Sequence, residues 1–279
     1  MILPYLAMRD NTKIYYEEHG RGETVLFVHG LSSSHFELKP FMKNFEGEYH
    51  CVCYDHRGHA ASERTTKHMN VRTLGQDLRE VIEYLDLRDI HVIGHSMGAA
   101  TIFSYVNQFG CDRLKSITAV DMTPYMRNTV WEGGIGLGKW TDEDFMTDFD
   151  MMFDDLGAAN WRITKDLMNP ALSSTPKEFE PAMISMCRGD FDPFTVAAMW
   201  YSLFRTDQRE AISKITVPFL YLMPETPLYS MTTVNFYRDN VKGKFVLEDD
   251  FPGTTHLLLM EKPNEAAEKV KAFLKSQED

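Results

Sequence analysis

The sequence predicts an α/β fold, a mostly parallel sheet flanked by helices with a helical cap inserted. Three observations predict it. Short apolar runs alternate with amphipathic stretches through the first 120 residues, the rhythm stops over 123–212, and it resumes with two more apolar runs and a terminal helix. Parallel strands covered on both faces read as continuous apolar runs of this kind.

In chain order, 12–18 (TKIYYEE) and 24–29 (TVLFVH) are strands joined by a turn around Gly20 and Gly22. A short helix near 38–46 and a strand over 49–54 follow. Residues 72–86 carry Leu74, Leu78, Val81, Ile82 and Leu85 at helical spacing. A buried strand over 89–93 leads into a small-residue helix over 98–109, and 115–120 is a strand ending on Asp121. After 123–212, strands return at 217–223 and 244–248. The last helix starts at Pro263, a good first-turn residue, with Ala267, Val270, Phe273 and Leu274 on one face. The expected division is a core of 1–122 and 213–279 and a helical cap of 123–212. The cap holds all four tryptophans and an acidic amphipathic stretch, 141–155, with Phe145, Phe149, Met152 and Phe153 on one face.

At 279 residues, with 43% apolar and 25% charged content, the chain can bury one large core. A net charge of −12 disfavours nucleic acid and anionic membranes as partners. The N-terminus lacks a basic stretch ahead of an apolar one, and no window is long and apolar enough for a membrane helix, so a cytoplasmic protein is expected. Cys51, Cys53, Cys111 and Cys187 lack paired spacing and read as small hydrophobes in a reducing compartment. No metal-ligand cluster or phosphate-cradling loop is legible, so no cofactor is expected. Oligomeric state is open.

The chemistry concentrates at 94–98, Gly-His-Ser-Met-Gly, between a strand and a helix. In that context G-x-S-x-G makes a sharp corner that presents the serine hydroxyl, and its glycines keep crowded backbone free of side chains. Ser96 is therefore the candidate nucleophile. A hydroxyl needs a general base. Of ten histidines, His50, His68 and His91 read as surface or strand-edge residues, and His19, His35, His56 and His59 fall in loops. His29 and His95 belong to backbone-positioning motifs. His256 lies on a loop between the last strand and the last helix that can reach the carboxyl edge of the sheet, which makes it the candidate base. An oxyanion needs preorganised N–H donors. The Met97 amide supplies one, and Leu31, after the His29-Gly30 turn, the second. Gly30 and His95 beside the corner, with Trp131, Trp161 and Trp200 of the cap, are the candidate substrate-binding residues.

Four features together resemble the α/β-hydrolase fold superfamily: VLFVHG at 25–30, DHRGHAAS at 55–62, GHSMG, and H-x-x-x-x-E-x-P from His256. The resemblance covers nearly the whole chain. It implies a serine–acid–histidine triad in that order, with a cap over the site. Ser32 and Ala60 stand where glycines are usual. Most members place the acid in a G-x-x-D turn after the strand at 217–223, but this chain reads MPETPLYS there, with Glu225 as the nearby carboxylate. Some members supply it from the preceding strand end, here ITAVDMTP. That subgroup carries a short Ser-Pro or Thr-Pro turn after the later strand, similar to Thr226-Pro227. The resemblance thus implies Asp121 as the acid, with Glu225 as the alternative. Serine excludes the members that attack haloalkanes or epoxides through aspartate. Expected is a carboxylesterase for small to medium apolar acyl substrates, working through an acyl-enzyme. A lactonase, thioesterase or C–C bond hydrolase on the same residues is the alternative, and a non-catalytic ligand receptor on the same fold is the alternative from another class.

Overall fold

The computed structural model describes residues 4–277. The first half of the chain runs β1 (Tyr5–Ala7), β2 (Lys13–Gly20), β3 (Thr24–Val28), α1 (His35–Met42), β4 (His50–Tyr54), α2 (Val71–Tyr84), β5 (Ile90–His95), α3 (Met97–Phe109) and β6 (Leu114–Val120). A helical segment follows, with α4 (Asp142–Asp154), α5 (Leu156–Ile163), α6 (Glu180–Arg188), α7 (Pro193–Arg205) and α8 (Arg209–Ile212). Then come β7 (Phe219–Leu222), α9 (Met231–Asn240), β8 (Phe245–Glu248), α10 (Leu258–Glu261) and α11 (Pro263–Lys275).

The eight strands form one sheet in the order β1-β2-β4-β3-β5-β6-β7-β8. The β1–β2 and β2–β4 pairs are antiparallel, and every other neighbouring pair is parallel. The alternation of side chains explains why the central runs are apolar throughout. Leu26 and Val28 of β3 and Val52 and Tyr54 of β4 pack with α2, α3 and the inserted helices. Val25, Phe27, Cys51 and Cys53 point the other way, against Leu38 and Phe41 of α1 and Val270, Phe273 and Leu274 of α11. The cysteines are free, Cys51 and Cys53 buried and the other two half-buried. No helix among the described residues is long and apolar enough to cross a membrane.

The structure differs from the sequence expectation in instructive places. β1 and α9 carry too little signal to be expected: Tyr-Leu-Ala is too short to show a period, and α9 buries only Thr233, Val234 and Tyr237. In the 141–155 stretch Phe145 and Met152 are buried but Phe153 is 51% exposed. Asp148 is buried instead, held by the Arg162 guanidinium and by the Trp140 indole N–H at 2.9 Å. His91 is not at a surface edge; it lies inside the sheet with its Nδ1 2.7 Å from Ser116 Oγ. The polar side chains Asp55, His56, Arg57 and His59 of one loop are buried, because this stretch folds beneath the His29 turn. Within it, Arg57 is clasped by Asp77 on two nitrogens, at 2.7 and 2.6 Å.

Burial holds His29, His56, His59 and His95 neutral, with the last two down at about 3. An unfolded chain protonates these rings near the ordinary value of about 6.5. The folded state then binds fewer protons, so stability falls as pH drops below that value, by up to about 1.4 kcal/mol per pH unit for a ring that stays neutral, as His59 and His95 do. Asp77 and Asp148, raised to about 6 by burial, act oppositely, but they are two against four. Denaturant titrations from pH 8 to 4.5 are therefore expected to show a midpoint that is level above pH 7 and falls steeply below 6.5. A midpoint level from 6.5 to 5 contradicts the buried-histidine account.

Candidate active site

The corner between β5 and α3 is built as the glycine spacing requires. Ser96 has φ 54° and ψ −120°, a backbone conformation costly for any residue with a side chain. A Cβ on Gly98 would collide with the Val28 carbonyl, and one on Gly94 would meet Ala99 N and Gly98 C across the turn. Helix and sheet thus pack backbone to backbone, and Ser96 is pushed out at the carboxyl edge. Its own carbonyl accepts from Ala99 N at 2.9 Å, starting the helix.

Asp121 follows the last residue of β6, fully buried and with φ 40°. His256 Nδ1 lies 2.8 Å from Asp121 Oδ2. The Leu228 amide donates to the same oxygen at 3.0 Å and to Oδ1 at 3.3 Å. A carboxylate only accepts, so Nδ1 carries the proton, and the neutral ring keeps a lone pair on Nε2. His256 and Ser96 both line one cavity of about 330 Å³. Glu225 is elsewhere. It is exposed, and its carboxylate accepts from the Gly253 amide at 2.6 Å.

Two further histidines hold this arrangement. His95 Nε2 donates to the His256 carbonyl at 2.7 Å, tying the His256 loop to the residue before Ser96. His29 Nδ1 donates to the Gly30 carbonyl at 2.7 Å. The peptide is trans, so fixing that carbonyl aims the Leu31 N–H the opposite way. Gly30 lies against the corner, since a Cβ there would sit 3.4 Å from Ser96 Cβ. Neither the Leu31 amide nor the Met97 amide, at the open first turn of α3, donates to another backbone group among the described residues. Ser32 and Ala60 adopt φ of 51° and 43°, the left-handed region that explains a glycine preference at both positions.

Among the tryptophans, Trp200 lines the cavity. Trp131 and Trp161 do not, correcting the sequence expectation. Trp131 packs edge-on against Phe236, 5.1 Å between centroids, and its indole donates to Thr123 at 3.3 Å. Trp161 is buried within the inserted helices, with its N–H toward Glu180. Tryptophan content alone carries no directional signal, and both indoles serve packing. The wall is instead rich in methionine: Met122, Met126, Met152, Met168, Met186 and Met260. The Leu228 donor is equally invisible to sequence reasoning, because a backbone N–H leaves no mark on residue identity.

A family model described as the alpha/beta hydrolase fold matches residues 23–150. Together with the eight-stranded sheet and the corner it carries, this shows an α/β-hydrolase fold. It is similar to the non-heme chloroperoxidase CPO-A1 of Kitasatospora aureofaciens, 30% identical over 44% of this chain and 45% of that protein. The match thus spans about half the length of the curated relatives. Among solved structures it resembles an esterase from Exiguobacterium antarcticum, with TM-score 0.80 and 17% identity, covering 97% of this chain and 98% of that one. It also resembles an enol-lactonase from Burkholderia xenovorans, with TM-score 0.75 and 17% identity over 98% and 100%.

The backbone contact beneath the corner has a measurable consequence. Gly98→Ala is expected to lower stability by about 1–3 kcal/mol through overpacking against the Val28 carbonyl. Gly47→Ala, where a Cβ meets nothing within 4 Å, should stay within about 0.5 kcal/mol of the parent. Thermal melts of the two variants decide it. Equal melting points would mean that the helix does not sit on the strand as described.

Proposed function

We propose that this chain is a serine hydrolase of carboxylic esters, acting on small to medium apolar acyl groups through an acyl-enzyme. The observation carrying this reading is the buried Asp121–His256 bond of 2.8 Å, in a cavity that Ser96 also lines. In this reading His256 Nε2 takes the Ser96 proton as Oγ attacks the ester carbonyl. The carbonyl oxygen becomes an oxyanion facing the Leu31 and Met97 amides, each such donor being worth about 10²–10³ in rate. Collapse of the intermediate expels the alcohol, which receives the proton from His256. A water molecule, deprotonated by the same ring, then attacks the acyl-enzyme and releases the acid.

Asp121 keeps the ring in the tautomer with Nδ1 protonated and stabilises the imidazolium formed in each half-reaction. The inserted helices serve as the cap over this chemistry. Their methionines, with Ile163, Leu167 and Leu203, give a flexible apolar wall that suits acyl chains better than one rigid ligand. The similarity to an enol-lactonase supports cyclic esters as a second substrate class, since attack on a lactone uses the same groups and the alcohol simply stays attached.

A fluorophosphonate probe should label the chain at Ser96 and fail to label Ser96→Ala. With p-nitrophenyl esters of increasing chain length, turnover should exceed one acylation per chain. Asp121→Asn should lower kcat by about 10³–10⁴, as loss of the tautomer-setting acid does elsewhere. Glu225→Gln should stay within about twofold, because the amide oxygen can still accept from Gly253 and nothing beside His256 Nδ1 changes. Labelling without turnover would make the chain a receptor. Loss of activity in Glu225→Gln but not in Asp121→Asn would overturn the acid assignment.

A further inference from the structure

The cavity at Ser96 is walled by apolar and neutral side chains with one exception. Among its lining residues, Glu37 alone is an aspartate, glutamate, lysine or arginine. It sits in the first turn of α1, exposed on its outer side and reaching the cavity on the other, which places it at the mouth. Its surroundings do not account for it as a structural residue. Ser34 and Glu37 have the spacing of a capping box, but the Ser34 side chain makes no cap bond, so that motif is not formed. Nearby basic side chains are engaged elsewhere: Lys39 pairs with Glu17 at 3.1 Å, and His35 Nδ1 lies 2.8 Å from Asp55. Lys262, on the α10 side, pairs with Glu265 at 3.0 Å. The Ser33 side chain is the group that hydrogen-bonds Glu37, and partial burial raises its carboxyl above the ordinary range. A half-desolvated carboxylate without a cation gains from any ligand that brings one.

We propose that Glu37 is a specificity-determining residue, selecting esters whose mouth-facing end carries a cationic ammonium group and disfavouring those that carry a carboxylate there. The inference rests on the ester-hydrolase reading for its substrate class, but it concerns binding and can be tested without turnover. The apolar wall holds the chain of the ester while Glu37 holds its charged end. A cation at about 4 Å from a partly exposed carboxylate gains on the order of tenfold in affinity, and salt weakens the gain. The chain's overall charge of −12 favours the same ligands at longer range.

The probes are two acetate esters of matched shape, 2-(trimethylammonio)ethyl acetate and its neutral isostere 3,3-dimethylbutyl acetate, with a monosuccinate ester as the anionic member. Calorimetry on the Ser96→Ala protein compares their affinities directly. The ammonium ester should bind about tenfold more tightly than the isostere at low salt, and the difference should shrink severalfold in 1 M NaCl. In Ser96→Ala/Glu37→Gln the two affinities should converge, Glu37→Asp should keep part of the preference, and Glu37→Lys should shift preference toward the monosuccinate ester. Equal affinities for the ammonium ester and its isostere in Ser96→Ala overturn the inference. So does a preference that survives Glu37→Gln unchanged, and so does binding of neither ester. Three separate substitutions at the exposed Glu37 test it, so where one variant does not fold the other two decide between these outcomes. Fluorophosphonate labelling of Ser96 is scored separately, so the hydrolase reading can stand when this inference fails, and the reverse.

Discussion

The strained corner at Ser96 constrains the rest of the molecule. A side-chain-bearing residue at φ 54°, ψ −120° costs on the order of 1–3 kcal/mol, so the surrounding structure must hold it there. Two glycines do so by letting α3 descend onto the backbone of β3 and β5. That contact requires parallel neighbouring strands, which in turn require crossover helices on both faces. The two apolar clusters above and below the sheet follow from this. So does the placement of every polar group of interest at the carboxyl edge, where the strands hand over to loops.

A second constraint is electrostatic. The carboxyl edge packs six histidines close together, and an ordinary aqueous histidine is half charged near pH 6.5. Burial keeps His29, His56, His59 and His95 neutral, so they act as directional donors and acceptors rather than charges. Their bonds run to backbone carbonyls, of Gly30, His29, Arg57 and His256 respectively. Each fixes the course of a loop. A lysine or arginine could not do this without burying a charge, and a serine is too short to span the gaps. His35 and His256 are different, each facing a carboxylate.

Much of the fold was legible because its physical causes are periodic. The central strands, buried on both faces, advertise themselves as apolar runs, and α2 and α11 show a 3.6-residue period, while α3 shows as a run of small residues after the corner. The corner was legible because a backbone-to-backbone approach tolerates only glycine. What was not legible is whatever depends on direction. Trp131 and Trp200 differ in nothing the sequence shows, yet one packs on Phe236 and the other lines the cavity. His91 could be assigned to a strand but not to the buried face, since its partners Ser116 and Glu23 come from distant segments. Glu37 carries no sequence signal at all, because an exposed glutamate early in a helix is ordinary until a cavity is found beside it.

The carboxylate facing His256 shows how two sequence anomalies become one structural fact. A buried carboxylate must have its lone pairs satisfied, and at Asp121 the imidazole of His256 supplies only one donor. The second comes from the Leu228 amide, delivered by the turn at Thr226-Pro227 after β7. If that turn carried its own carboxylate toward His256, two acids would meet in a buried site, and like charges at such range cannot both ionise. The shortened turn replaces a competing charge with a neutral N–H, and Asp121 gains a donor that also fixes its rotamer. Glu225, one residue earlier in the same turn, faces outward and closes on Gly253, which holds the 253–256 loop from the solvent side. The loop bearing His256 is thus held by Glu225 from outside and by His95 from inside, and its imidazole is free to answer to Asp121 alone.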